Sequence, residues 1–163
     1  MTSRPDDIRA ALRALPTSVV LVAADIDGAT IRMLASSFTS VSLEPPLVSV
    51  AFMRTSSTLP RLLEAPAWGI SLLSSAMSEP LEQLSRPAPI RFSDVELSRC
   101  DNGAKFLPES PLSLTVTPDQ QVEAGDHVIV VLRVIGIVGD TSRPPLVLHN
   151  RTVHHLTAAA VGA

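Results

Sequence analysis

A mainly β fold with a few short helices, closed or nearly closed into a barrel, is predicted for this 163-residue chain by three observations. About seven or eight apolar runs of strand length, several rich in β-branched residues, are punctuated by turn signals. Helical spacing of apolar residues is confined to short segments. Fourteen prolines cluster between the runs, and only seven glycines are present.

Each element has a local reason. Ile8, Leu12 and Leu15 recur at helical spacing, with Asp6 and Asp7 in the first turn and Pro16 beyond the end, which predicts a short N-terminal helix. Val19 to Ala24 reads as a strand, and Asp27-Gly28 turns it into a second one from Thr30 to Leu34. The segment Ala35-Ser36-Ser37-Phe38-Thr39-Ser40-Val41-Ser42 is expected to continue that strand, with another from Leu47 to Phe52. Ser56, Ser57 and Thr58 precede Pro60 and a brief apolar run, the pattern of a capped helix start, with Ser57 or Thr58 as the cap. Trp68 to Leu73 is strand-like, Ser78-Glu79-Pro80 opens a helix through Leu84, and Ser85 to Asp94 is a proline-broken loop. Leu112 to Thr117 forms a strand, and Ala124-Gly125-Asp126 turns into the long run His127 to Val134. Leu146 to Leu148 and Thr152 to Leu156 close the fold.

Composition narrows the function classes. Hydrophobic residues make up 45% and charged residues 18%, which excludes a disordered chain. The net charge of −3 offers no footprint for nucleic acid. Cys100 is alone, so an internal disulfide and a multi-cysteine zinc site are excluded. His149, His154 and His155 lack the spacing and the nearby acid that a metal centre would use, so no metal is expected. A mean hydropathy of +0.29 without a membrane-length apolar run suggests an apolar surface covered by another subunit. The N-terminus lacks the basic and apolar regions of a secretory signal, which predicts a cytoplasmic protein with no membrane contact. Residues 1–157 are expected to form a single domain, and residues 158–163 a disordered tail.

Three places suggest a site. Residues 35–42 carry five hydroxyl side chains and no charge, and their polarity does not alternate cleanly. They suit either a serine-rich edge strand or a surface that hydrogen-bonds the polar edge of a flat ligand. The helix start at Ser56 to Thr58 is either a plain cap or a phosphate seat. His127, just past the Gly125-Asp126 turn, is either a turn residue or a ring at a ligand site.

These pieces, in order, resemble the flavin reductase-like family of FMN-binding split barrels. The resemblance runs from about Ile8 to Leu156. It is carried by the opening run Ile8 to Val22, by Ala35-Ser-Ser-Phe-Thr-Ser-Val-Ser-Leu-Glu-Pro-Pro-Leu47 and by Ser56-Ser57-Thr58. Ile70-Ser-Leu-Leu73, Leu81-Glu-Gln-Leu-Ser85, Arg91-Phe92, Ala124-Gly-Asp-His127 and Pro145-Leu146 follow. The chain departs from the family pattern at Leu34, where a threonine is common, at Ser71 for an asparagine, and at Leu148 and Val153 for tyrosines.

The resemblance implies a split β-barrel homodimer binding FMN, or FAD, and using NADH or NADPH to pass reduced flavin to a partner monooxygenase. By position, Ala35, Ser36, Ser37 and Phe38 would line the isoalloxazine. Ser56, Ser57 and Thr58 would hold the phosphate, Arg86 or Arg91 would add a cation, and His127 would serve catalysis beside the flavin or nicotinamide. The hydride chemistry belongs to the cofactors, which accounts for a sequence with no acid–base dyad.

Overall fold

The computed structural model describes residues 4–75, 77, 95–140 and 142–156. In chain order these form α1 (Pro5–Leu12), β1 (Thr17–Ser18), β2 (Val20–Ile26), β3 (Ala29–Ala35), β4 (Thr39–Leu43), β5 (Pro46–Met53) and α2 (Thr58–Leu62). After them come β6 (Trp68–Leu72), β7 (Ser98–Arg99), β8 (Lys105–Phe106), β9 (Leu112–Ala124), β10 (His127–Gly139), β11 (Leu146–His149) and β12 (Thr152–His155). The predicted helix at Ser78 to Leu84 and the loop at Ser85 to Asp94 lie outside the described residues.

Seven strands form one antiparallel sheet in the order β3-β2-β6-β9-β10-β5-β4. Its two edge strands, β3 and β4, are consecutive in the chain and are separated only by Ser36, Ser37 and Phe38. Those three residues span at most about 14 Å from Ala35 to Thr39. The first and last strands are therefore drawn towards each other, and the sheet must curl round on itself. The Ser37 hydroxyl strengthens the closure. It accepts a hydrogen bond from the Ala51 N–H (3.0 Å) and donates to the Ala51 carbonyl (3.1 Å), substituting for a backbone pair on β5. The serine segment thus does not continue β3 as expected. It breaks at Ser36–Phe38 because that is where the barrel passes from one edge to the other.

Inside the curl, Val20, Val22, Val50, Phe52, Trp68, Ile70, Val116 and Leu132 pack as the main core. Phe52 and Trp68 meet edge to face at 6.0 Å, and the Trp68 indole donates to the Leu62 carbonyl (2.6 Å). The other face of β2 is also covered. Leu21 and Ala23, with Val19 just before the strand, join Leu73, Leu107 and Leu146 in a second cluster beneath the β11–β12 hairpin. Burial on both faces explains why Val19 to Ala24 is apolar without alternation. The three-stranded sheet β1-β11-β12 is the lid over this second cluster.

Strand β9 runs seven residues beyond the predicted end at Thr117. Pro118-Asp119-Gln120-Gln121 carries no alternation of its own, yet β10 pairs along it as far as Ala124, with a register shift that leaves Asp119 without a ladder partner. Gly69 on β6 is required by packing, since a Cβ there would overlap the Lys105 carbonyl oxygen of β8. At the β2–β3 turn, Asp27 and Gly28 both adopt positive φ, as the Asp-Gly signal predicts.

Asp25 ends the buried part of β2. Its carboxylate accepts from Lys105 Nζ at 3.1 Å and from the Gly28 N–H at 3.0 Å, and Arg99 stands 3.9 Å away. The Lys105 hydrogen bond, ahead of the Gly28 bond and the Arg99 charge, holds its pKa below the ordinary 3.8.

Two outcomes follow from this architecture. Ser37→Ala should lower stability by about 1–2 kcal/mol in denaturant unfolding, for two hydrogen bonds lost at the seam. An unchanged midpoint would mean that the β4–β5 ladder alone holds the edge. Asp25→Asn should be less stable than the parent protein at neutral pH. Because the folded-state pKa is depressed, that gap is complete above pH 3.8 and closes as the pH falls through the folded value. A gap independent of pH would assign the effect to packing.

Candidate functional site

One end of the β5–β10 pair collects most of the residues singled out in the sequence. His127 pairs with Met53 in the antiparallel register, so the start of β10 lies beside the end of β5. The chain leaves β5 through Arg54, whose N–H donates to the Asp126 carbonyl (2.9 Å). The Ser56 N–H then donates to the Met53 carbonyl (2.9 Å), which turns the chain into α2. Ser37 reaches the same strand two residues earlier, at Ala51. Serine segment, helix start and histidine turn therefore share one corner at the seam of the barrel.

Within that corner the hydroxyls divide into two groups. Ser57 holds the N-cap position, as expected, but its side chain makes no cap bond; the Ser56 hydroxyl oxygen caps instead, accepting from the Thr58 N–H (3.2 Å) and the Leu59 N–H (3.3 Å). Its O–H remains as a donor. Ser37 is engaged with Ala51. Among the described residues, the side-chain hydroxyls of Ser36, Ser57 and Thr58 make no hydrogen bond to protein, and Ser36 and Ser57 are exposed. Ala35 is buried at the end of β3, and Phe38 is half-buried against the main core. Arg86 and Arg91, the expected phosphate cations, lie outside the described residues.

His127 is half-exposed, and its Nδ1 stands 2.7 Å from Asp126 Oδ1. The hydrogen bond to His127, then the histidine's charge and more weakly that of Arg9, hold the Asp126 carboxyl below its usual range. An ionised carboxylate only accepts, so Nδ1 carries the hydrogen and Nε2 is the nitrogen left for a ligand. Arg54, which the sequence reading passed over as a site residue, anchors this turn through the Gly125 carbonyl (3.5 Å) and Glu123 (3.4 Å). Its position directly before the hydroxyl cluster was the available signal.

The departures from the family pattern have structural explanations. The Ser71 hydroxyl is buried and accepts from the Leu107 N–H (3.0 Å), joining β6 to the residue after β8. Leu34, Leu148 and Val153 all pack against the second apolar cluster. Three positions that could carry polar or aromatic groups towards a ligand instead form one continuous apolar contact.

A flat, phosphorylated ligand fits this donor set. Free hydroxyls at Ser57 and Thr58 suit a phosphate, Ser36 and the Phe38 edge suit a planar ring, and His127 Nε2 makes no hydrogen bond among the described residues.

Comparison with known proteins names the family. The flavin reductase like domain matches residues 12–157, and the chain belongs to that family. It is 31% identical over 153 residues to an NADH:riboflavin 5'-phosphate oxidoreductase of Streptomyces pristinaespiralis, covering 92% of this chain and 87% of that protein. It is 35% identical over 131 residues to the stachydrine N-demethylase reductase subunit of Rhizobium meliloti (strain 1021). There the match covers 80% of this chain and 57% of the relative, so the chain spans little more than half that protein's length. A solved NADH:FAD oxidoreductase from Streptomyces globisporus, in complex with NAD and FAD fragments, superposes with a TM-score of 0.87. That match covers 98% of this chain and 99% of the other at 24% identity, a likeness of fold. The fold is the split barrel of this family.

The division of the hydroxyls yields a test. Ser57→Ala with Thr58→Ala should weaken FMN binding by about 1 kcal/mol per lost hydrogen bond and barely change stability. Ser56→Ala should instead cost about 1 kcal/mol of folding stability through the lost cap. Fluorescence titration with FMN and thermal unfolding separate the two; equal FMN affinity in the double variant would remove the phosphate role.

Proposed function

We propose that the protein is an NAD(P)H-dependent flavin reductase that supplies reduced FMN or FAD to a partner monooxygenase. The observation that carries this reading is the convergence of the serine segment at Ser37, the Ser56–Thr58 helix start and His127 on one corner of a family split barrel. In this reading Ala35, Ser36, Ser37 and Phe38 form the wall against which the isoalloxazine lies, with Ser37 holding that wall to β5. Ser56, through its O–H, and Ser57 and Thr58 hold the phosphate, with Arg54 and Arg86 or Arg91 as its cations.

When bound, flavin and nicotinamide together supply the hydride chemistry. The chain's own residues bind, orient and exclude water. Asp126 fixes the His127 ring through Nδ1, and His127 Nε2 is the group that meets the flavin or nicotinamide.

We propose also that a second copy completes the site as a homodimer. Val41 and Leu43 on the edge strand β4 are exposed, Leu43 by 90%, directly beyond the serine segment. Ile137 and Val138 on β10 are likewise exposed. Apolar residues on an uncovered edge strand favour a partner. Among the described residues, no helix is long and apolar enough to cross a membrane, which is compatible with the cytoplasmic location we propose.

Mixing the protein with FMN or FAD and following loss of NADH or NADPH absorbance tests the activity. Flavin-dependent oxidation above the uncatalysed rate is expected. Flavin binding with no nicotinamide loss would identify a flavin-binding module instead. Turnover of a small organic substrate at the bound flavin, without a second protein, would identify a self-sufficient flavoenzyme. His127→Ala should reduce turnover by about 10²-fold while leaving flavin affinity within a few-fold. Equal losses in both would make His127 a structural residue.

A further inference from the structure

A cleft of about 340 Å³ opens between α1 and the tip of the β11–β12 hairpin. Arg9, Leu12, Arg13, Ser36, Leu148 and Arg151 contribute to its lining, and no carboxylate does. Three guanidinium groups in one concavity repel one another unless an anion joins them. Among the described residues, Arg9 makes one ion pair, with Asp6 at 2.8 Å, where both side chains are largely in solvent and such a pair contributes little, and it also stands near enough to the Asp126 carboxylate to act on it. Arg13 and Arg151 make no side-chain hydrogen bond or ion pair among the described residues.

The placement of Arg151 is a second, independent sign. Asn150 and Arg151 are the two residues of the hairpin turn, with φ of +50° and +64°. Asparagine tolerates the left-handed region, but its neighbour in such a turn is ordinarily glycine. Any residue with a Cβ is strained at that position, and strain of this kind is retained where the side chain has work to do. The turn is also tied down, since the Asn150 N–H donates to the Arg13 carbonyl at 3.0 Å. Arg9 lies on α1 and Arg13 is its C-cap, still in helical conformation four residues on, so both face the same side.

The cleft adjoins the seam. Ser36 belongs both to its wall and to the serine segment, and the charge of Arg9 is felt at Asp126, the partner of His127. A ligand with one end at His127 and its other end in the cleft would carry its negative charge among the arginines and its apolar portion against Leu12 and Leu148. The volume suits a nucleotide fragment rather than a whole dinucleotide.

We propose that this cleft binds the adenosine diphosphate portion of a dinucleotide, with Arg13 and Arg151 on the diphosphate and Arg9 beside them. That portion is common to NADH, NADPH and FAD, and guanidinium forks match phosphate oxygens in pairs. The choice of a dinucleotide rests on the flavin-reductase reading; the anion site does not.

The test uses the whole chain and ADP itself, titrated by calorimetry at low ionic strength. ADP should bind, and added salt should weaken it. Arg13→Gln and Arg151→Gly should each weaken ADP affinity about tenfold, as expected for loss of a charged hydrogen bond. Arg151→Gly should at the same time raise the melting temperature, because glycine relieves the left-handed strain. Weaker binding by a more stable protein cannot come from misfolding. With FMN as the flavin, a raised KM for NADH in both variants would assign the cleft to the nicotinamide cofactor; an unchanged KM with reduced FAD affinity would assign it to FAD. No ADP binding, or equal affinity in parent and variants, would overturn the proposal. Absence of NADH oxidation with ADP binding intact would overturn the reductase reading and leave the anion site standing.

Discussion

Three residues join the two edges of the seven-stranded sheet, and most of the molecule's arrangement depends on that short reach. Ser36, Ser37 and Phe38 are too few to cross an open sheet, so β3 and β4 are drawn together and the sheet closes. Closure leaves backbone groups at the seam that no neighbouring strand serves. The Ser37 hydroxyl meets that need at Ala51. A serine-rich connector is therefore both a consequence of the topology and a source of polar groups at the one place where the barrel wall is incomplete.

The second organising feature is strand β2, which is buried on both faces. One face points into the barrel and the other supports the closing hairpin. Leu34, Leu148 and Val153 extend the outer contact, so the hairpin is fastened by apolar burial rather than by polar or aromatic groups. That fastening has a functional corollary. It holds the hairpin tip, with Asn150 and Arg151, against the end of α1, and so sets three arginines around one cleft beside the seam.

Much of this was legible in the residues. Strands with clear β-branched runs, the Asp27-Gly28 and Gly125-Asp126 turns and the short N-terminal helix appear close to where local chemistry puts them. The extension of β9 past Pro118 did not, because its exposed polar residues carry no alternation and only pairing with β10 keeps them extended. The helix N-cap falls on Ser57 as expected, but the capping hydroxyl comes from Ser56, one residue earlier. Ser56, Ser57 and Thr58 are chemically equivalent candidates, and the choice among them is made by how the chain leaves β5 at Met53. The arginine cleft was invisible for a similar reason: Arg13 and Arg151 are 138 positions apart (151 − 13) and share no motif.

By itself, then, the amino-acid sequence determined the β class, the order of the elements, the membership of a flavin reductase-like family and the residue types from which a site could be made. Those properties follow from period, turn chemistry and ordered motifs, all of which are local. Only the tertiary structure decided which hydroxyls are consumed by the fold and which stay without a protein partner. It alone brought His127 beside the end of β5 and the arginines of α1 beside the closing hairpin. Hydrogen-bond satisfaction and charge clustering depend on neighbours distant in the chain, and closure of the sheet at Ser36–Phe38 is what selects those neighbours.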